Sequence, residues 1–110
     1  MMLPQFCQTV TLYRNAPEGI TRQVLQGCFY SWRIEQTEDA QGVRQQTKFL
    51  LVIPGGCDIR PGDRVFDGIG PERVDWARFL PVNVAGLSQV AYVTPCYFGS
   101  VLCHTEAGRR

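Results

Sequence analysis

The chain has 110 residues, of which 45% are hydrophobic, a composition that predicts one globular domain over residues 1–110. Its net charge of +1 excludes strong attraction of the whole molecule to nucleic acid or to an anionic membrane. Apolar runs fall short of the ~20 residues of a membrane helix, and the first residues lack the pattern of a secretory signal.

The first half of the chain predicts short strands, because β-branched and aromatic residues alternate with polar ones between turn-forming residues. The predicted strands are residues 6–13, 20–25, 27–35 and 48–53. A flexible arm of residues 1–6 precedes them, since Pro4 disfavours a helix there. Residues 15–19 form the turn of a first hairpin, and Gly27 marks a bulge that separates the second strand from the third. The apolar stretch 49–53 predicts a central strand.

Residues 35–46 are the most polar stretch of the chain and contain one glycine and almost no apolar anchor. Two structures fit this composition: an exposed loop, or the tip of a long hairpin whose second arm begins near Val43. Such a segment in a small β domain is either inert or functional.

Two tight turns flank a short strand at residues 64–66. Pro61 sets φ for the second position of a type II turn, and Gly62 accepts the positive φ of the third. The side chain of Asp63 can bond nearby backbone amides, and Gly68 belongs to the second turn. We therefore assign Pro61, Gly62, Asp63 and Gly68 to turn structure.

The second half of the chain is less regular. Residues 68–80 predict at most a short helical turn, for which Pro71 can occupy the first position. The predicted strands are residues 81–84, 89–97 and 101–104, the last two joined by a turn at 98–100. Pro95 indicates an edge strand or a bulge, and residues 105–110 have the composition of a flexible tail. The elements together predict an all-β fold: a small antiparallel β-barrel or sandwich of about six to eight short strands with one long polar loop.

The sequence predicts no catalytic, cofactor or metal site. His104 is the single histidine, and the adjacent Cys103 would point to the opposite face of a strand, so a catalytic pair is not expected. Five cysteines without a Cys-x-x-Cys motif or a common zinc spacing favour free structural thiols, with a disulfide or a metal site as alternatives. The protein is therefore not expected to be an enzyme.

One cluster of aromatic residues favours a different class. Phe29, Tyr30 and Trp32, next to Arg33, resemble the stacking surface of an OB-like module that binds single-stranded nucleic acid. The accompanying cations are few, so this interpretation is the alternative.

Several segments over nearly the whole chain carry a likeness to a known family. They are residues 9–14, 24–28 with Trp32, 52–54, 61–65 with Gly68, 90–93 and 104–108. In these segments the chain resembles small head-to-tail connector proteins of long-tailed phages, namely minor capsid, head-completion and stopper proteins.

The resemblance implies a β-barrel subunit that forms a ring with copies of itself around the DNA channel in the neck of the virion. It implies a portal or adaptor protein on the head side, tail proteins on the tail side, and double-stranded DNA that passes without sequence-specific binding. Synthesis in the cytoplasm of a bacterial host, with no membrane partner and no cofactor, follows from the same likeness.

In stopper proteins a polar loop after the third strand lies toward the ring axis and helps to retain packaged DNA. The matching residues here are Glu35, Gln36, Thr37, Glu38, Asp39, Gln41, Arg44, Gln45 and Gln46. Arg44 is the one cation in this segment, against three carboxylates. A lining of this charge suits a conduit, because it would not hold the phosphate backbone tightly.

Overall fold

The computed structural model describes residues 8–109, apart from the side chains of residues 37 and 44–46, and shows an antiparallel all-β protein. Its seven strands are β1 (Gln8–Ala16), β2 (Gly19–Asp39), β3 (Gly42–Pro54), β4 (Arg64–Asp67), β5 (Leu87–Gln89), β6 (Tyr92–Phe98) and β7 (Val101–Arg109). The predicted fold class is confirmed. The predicted arm at residues 1–6 lies outside the described residues. Within those residues there is no helix with the length and hydrophobicity of a membrane span.

The strands form a single sheet in the order β5-β4-β1-β2-β3-β7-β6. The second strand is 21 residues long, and it pairs with β1 up to Cys28 and with β3 from Phe29 onward. The predicted break at Gly27 is wrong: a register shift lies there and Gly27 has a φ of 71°, but the strand continues through it. The extra residue bends β2 and lets one strand serve both halves of the sheet.

The sheet curls into a half-barrel. Its two end strands, β5 and β6, are consecutive in the chain and are joined by Val90 and Ala91. The amide of Val90 donates to the carbonyl of Asp63, and that of Ala91 donates to the carbonyl of Gly108, both at 2.8 Å. The linker thus hydrogen-bonds to both halves of the sheet and draws its two ends together.

The core lies inside the curl and is built from the inward-facing positions of β1 to β4 and β7. Its fully buried members include Val10, Leu51, Val65 and Ala107. Because side chains alternate along a strand, the partners of these residues in the register also face inward. Leu51, for example, pairs with Tyr30 on one side and with Ala107 on the other.

A second apolar cluster forms beneath the connection between β4 and β5. Tyr13, Phe79 and Leu87 are its buried members. Arg64 holds the connection in place: one guanidinium nitrogen donates to the carbonyls of Trp76 and Phe79, both at 2.6 Å, and the group stacks 3.8 Å above the Trp76 ring.

One predicted element in this part of the chain is wrong. Residues 81–84 form turns rather than a strand, and the strand comes later, at β5. The expected short helical turn lies at Asp75–Phe79, and a second turn of the same kind follows at Leu80–Val84.

The expected tail is wrong over residues 105–109, which form the second half of β7. Thr105, Ala107 and Gly108 are buried, and this half of β7 pairs with both β3 and β6. The polar composition of the segment reflects its alternation between an inner and an outer face. Pro95 lies on β6, which is an edge strand, and a register shift follows between Cys96 and Tyr97, so both predicted alternatives for Pro95 occur.

Candidate functional site

The polar segment 35–46 is a two-stranded ribbon rather than a loop. Its two arms pair with each other up to Asp39 and Gly42, and no other strand among the described residues pairs with them. Pairing of β3 with β7 stops at Phe49. The hairpin alternative is therefore the correct one, and the paired arms extend seven residues, or roughly 23 Å, beyond the last three-stranded part of the sheet.

The exposed side chains of the ribbon include Gln36, Glu38, Asp39 and Gln41. At the tip, the amide of Gln41 donates to a carboxylate oxygen of Asp39 at 2.8 Å, which closes the turn locally. The side chains of Thr37, Arg44, Gln45 and Gln46 lie outside the described set.

The base of the ribbon carries an ion-pair cluster around Glu35. Its carboxylate lies 2.8 Å from Nζ of Lys48 and 2.7 Å from a guanidinium nitrogen of Arg33. The hydrogen bond from Lys48, followed by that from Arg33, lowers the pKa of Glu35. Counting charges within residues 35–46 alone misses these two cations, which lie just outside the segment in sequence and beside Glu35 in space.

Next to the ribbon, residues of β2, β3, β7 and β6 line a groove of about 530 Å³. Its lining combines aromatic and charged residues: Phe29, Trp32, Tyr92, Arg33, Lys48, Arg109 and Glu106, with Ser31, Phe49 and Leu50. The groove contains three of the four residues that the sequence singled out as an aromatic stacking surface.

The fourth residue, Tyr30, is not available for stacking. It is 3% exposed and packs edge-on against Phe49 in the core, with ring centroids 5.8 Å apart. Its hydroxyl lies 2.9 Å from Oγ of Ser88. Burial raises the pKa of Tyr30, which keeps the phenol neutral. Phe29 lies on the opposite face of β2 from Tyr30, whereas Trp32 shares the face of Tyr30 and packs partly against the core.

The predicted turn forms at residues 60–63. The amide of Asp63 donates to the carbonyl of Arg60 at 3.1 Å, and Gly62 has a φ of 95°, a backbone conformation that favours glycine. Gly68, with a φ of 92°, accepts a hydrogen bond from the Thr11 hydroxyl at 2.8 Å.

Asp63 also does more than close the turn. Its two carboxylate oxygens accept from Arg14 at 3.0 and 2.8 Å, and Arg14 in turn binds Asp58 at 3.0 Å. The hydrogen bond from Arg14 lowers the pKa of Asp58. Arg14 thereby fixes the connection between β3 and β4 to β1. No local sequence pattern pointed to this arginine, because its partners are 44 and 49 residues away.

The tip of the β6–β7 hairpin is apolar. Tyr97, Phe98 and Val101 are all exposed, and Phe98 is 83% accessible. Tyr97 and Phe98 end edge strand β6 and Val101 begins β7, so a neighbouring molecule can approach them without rearranging the sheet.

His104 is half-buried on β7 and pairs in register with Cys96 of β6. Cys103 is exposed, and as the residue before His104 on β7 it faces the opposite side of the strand. The spacing of Cys96, Cys103 and His104 in the sequence does not predict the pairing of Cys96 with His104. Counting outward from the predicted turn at residues 98–100 would pair Cys96 with Leu102. The register shift between Cys96 and Tyr97 aligns Cys96 with His104 instead.

Comparison with protein-family models, with curated proteins and with solved structures finds no match to this chain.

Proposed function

We propose that the protein is a structural subunit of a phage virion at the head-to-tail interface, of the minor capsid or head-closure type. Copies of the chain form a ring around the DNA channel, between a portal or adaptor protein and the tail proteins. Double-stranded DNA passes through this ring without sequence-specific binding. The observation that carries the proposal is the polar ribbon at residues 35–46, which leaves the body of the sheet.

The ribbon has the form that a channel-facing element needs. A hairpin that pairs only with itself can point toward a ring axis while the curled sheet contacts its neighbours. The exposed carboxylates and amides at its end would repel or only weakly contact phosphate. The apolar tip at Tyr97, Phe98 and Val101 offers a separate surface for contacts between subunits.

Shortening the ribbon tests this proposal. Thr37 and Arg44 are register partners, so replacing residues 38–43 with a two-residue Asn-Gly turn preserves the pairing below them. We expect the purified variant to keep the wild-type oligomeric mass and ring shape in electron micrographs, whereas filled heads that carry it lose DNA. Heads that retain their DNA would contradict the channel role of the ribbon.

A second candidate function rests on the groove. Phe29, Trp32 and Tyr92 with three neighbouring cations are the residue types that bind single-stranded nucleic acid by stacking and by phosphate contact. Fluorescence anisotropy with a labelled oligonucleotide at two salt concentrations tests it.

The variants Trp32→Ala and Arg33→Gln should weaken that binding, and Arg78→Gln, which changes an exposed arginine away from the groove, is the matched control. Salt-dependent binding that both groove variants reduce would favour this function. A ring without such binding would favour the connector.

A further inference from the structure

The β6–β7 hairpin brings together three metal-ligating residues that lie apart in the sequence. Cys96 pairs with His104 across the hairpin, and Glu106 follows two residues later on the same face of β7. The thiol sulphur, an imidazole nitrogen and a carboxylate oxygen all lie within 4.8 Å of one another. All three side chains are half-buried, so a bound ion would be partly shielded from solvent.

The donor set selects the kind of ion. Thiolate, imidazole and carboxylate together suit Zn²⁺, whereas Ca²⁺ and Mg²⁺ prefer oxygen ligands alone. In a tetrahedral zinc site the sulphur and nitrogen ligands are about 3.5 Å apart. Small side-chain rotations on a fixed backbone would close the remaining gap, because the register already places the three residues as neighbours.

Surrounding contacts hold one of the ligands in place. The hydroxyl of Tyr92 donates to Oε1 of Glu106 at 3.2 Å. The Tyr92 ring lies against Gly108, where an added Cβ would come within 2.9 Å of the hydroxyl, and it would also collide with the carbonyl oxygen of Phe49. A tyrosine that hydrogen-bonds a ligating carboxylate is a typical outer-shell partner in zinc sites.

We propose that Cys96, His104 and Glu106 form a Zn²⁺ site, with three ligands from the chain and water in the fourth position. The ion fixes β6 to β7 beside the exposed tip of the hairpin. The proposal is independent of ring assembly, since all three ligands come from one chain.

Metal titration of the full chain tests the site. Because His104 is the single histidine, the protein is purified without a histidine tag and stripped with a chelator. Titration with Co²⁺ should give one equivalent of tetrahedral cobalt with a thiolate charge-transfer band, and Zn²⁺ should then displace it. The absence of that band, or a thiolate band that Zn²⁺ does not displace, would overturn the proposal.

Substitutions assign the ligands. Cys96→Ser and His104→Gln should abolish the cobalt spectrum, and Tyr92→Phe should weaken affinity by roughly 10–100-fold. Cys103→Ser is the matched control and should leave binding unchanged, because Cys103 is exposed and lies outside the cluster. A spectrum that survives Cys96→Ser, or that disappears in Cys103→Ser, would refute the assignment.

A measurement on the unaltered protein covers the case in which a variant fails to fold. Stoichiometric Zn²⁺ should slow alkylation of Cys96 by iodoacetamide at least tenfold and leave the rate at Cys103 unchanged, as read by peptide mass spectrometry. Equal rates at Cys96 with and without Zn²⁺ would count against the site.

Discussion

The β2–β3 and β6–β7 hairpins are neighbours in the sheet, because β3 pairs with β7. The tip of one is polar and the tip of the other is apolar. The first continues for several residues beyond its neighbours and finishes in carboxylates and amides. The second hairpin stays within the sheet, because the part of β7 that pairs with Tyr92–Cys96 also pairs with β3. Its tip consists of Tyr97, Phe98 and Val101. A polar tip is stable in water without a partner, whereas an apolar tip gains free energy when it is covered.

The largest expected effect on stability comes from a substitution in the buried part of the β2–β3 hairpin, compared with one on its ribbon side. Leu51→Ala removes a fully buried side chain and should lower the free energy of unfolding by about 2–5 kcal/mol. Ile34→Ala is the matched substitution on the ribbon side, where the residue is 57% exposed, and should change stability by less than about 0.5 kcal/mol. Urea unfolding followed by circular dichroism measures both.

A comparable loss for the two variants would contradict the description of the ribbon as independent of the core. It would mean that the side chain of Ile34 packs against the rest of the protein, although β2 pairs only with β3 at that position.

Thiol reactivity should differ between Cys28, which is buried at the bend of β2, and Cys103, which is exposed on β7. Burial raises the pKa of Cys28, at the bend of β2, to about 11, with the nearby Cys57 as the smaller cause. At pH 8 only about one Cys28 thiol in a thousand is then ionised, and the group is also fully buried. We expect exposed Cys103 to be alkylated far faster than Cys28 in the native state, and Cys28 to react only when the protein opens. Rapid native labelling of Cys28 would show that the bend is open to solvent.

The apolar tip should govern self-association. Phe98→Ser removes its most exposed aromatic side chain and, if the tip is buried between subunits, should weaken association by about 2 kcal/mol, or roughly 30-fold. Sedimentation velocity over a range of concentrations measures this. Ile34→Ser is the matched control, since it removes an exposed apolar residue from the other hairpin and should leave the oligomer unchanged. An effect of Ile34→Ser equal to that of Phe98→Ser would place the subunit contact elsewhere.

Local patterns predicted the features that local physics determines. The turn at residues 60–63 follows from Pro61 and Gly62 alone, and the alternation of β1 and the apolar run of β3 were sufficient to identify strands. The all-β class followed from the number of such segments.

Features that depend on distant partners were missed. A bulge at Gly27 has the same local signal as a strand end, and only the pairing of β2 with both β1 and β3 shows that the strand continues. The composition of residues 105–109 is typical of a tail, because their burial depends on β3, more than fifty positions earlier. The contact between Arg14 and Asp63 spans 49 residues and leaves no local trace.

The ion-pair cluster at the base of the ribbon gives the smallest expected effect. Lys48, and after it Arg33, lowers the pKa of Glu35 in the folded protein below its value in the unfolded chain. Glu35 therefore stabilises the fold above its unfolded-state pKa, and this contribution disappears as the pH falls through the lower, folded-state value. The effect on stability should be small, because the pair is exposed and screened by salt. Lys48→Met should raise the pKa of Glu35 toward its ordinary value, measured by a carboxyl-carbon NMR titration, and Arg78→Met, which alters a remote exposed arginine, should leave it unchanged. An unaltered Glu35 titration in Lys48→Met would contradict the ion pair between Lys48 and Glu35 at the base of the ribbon.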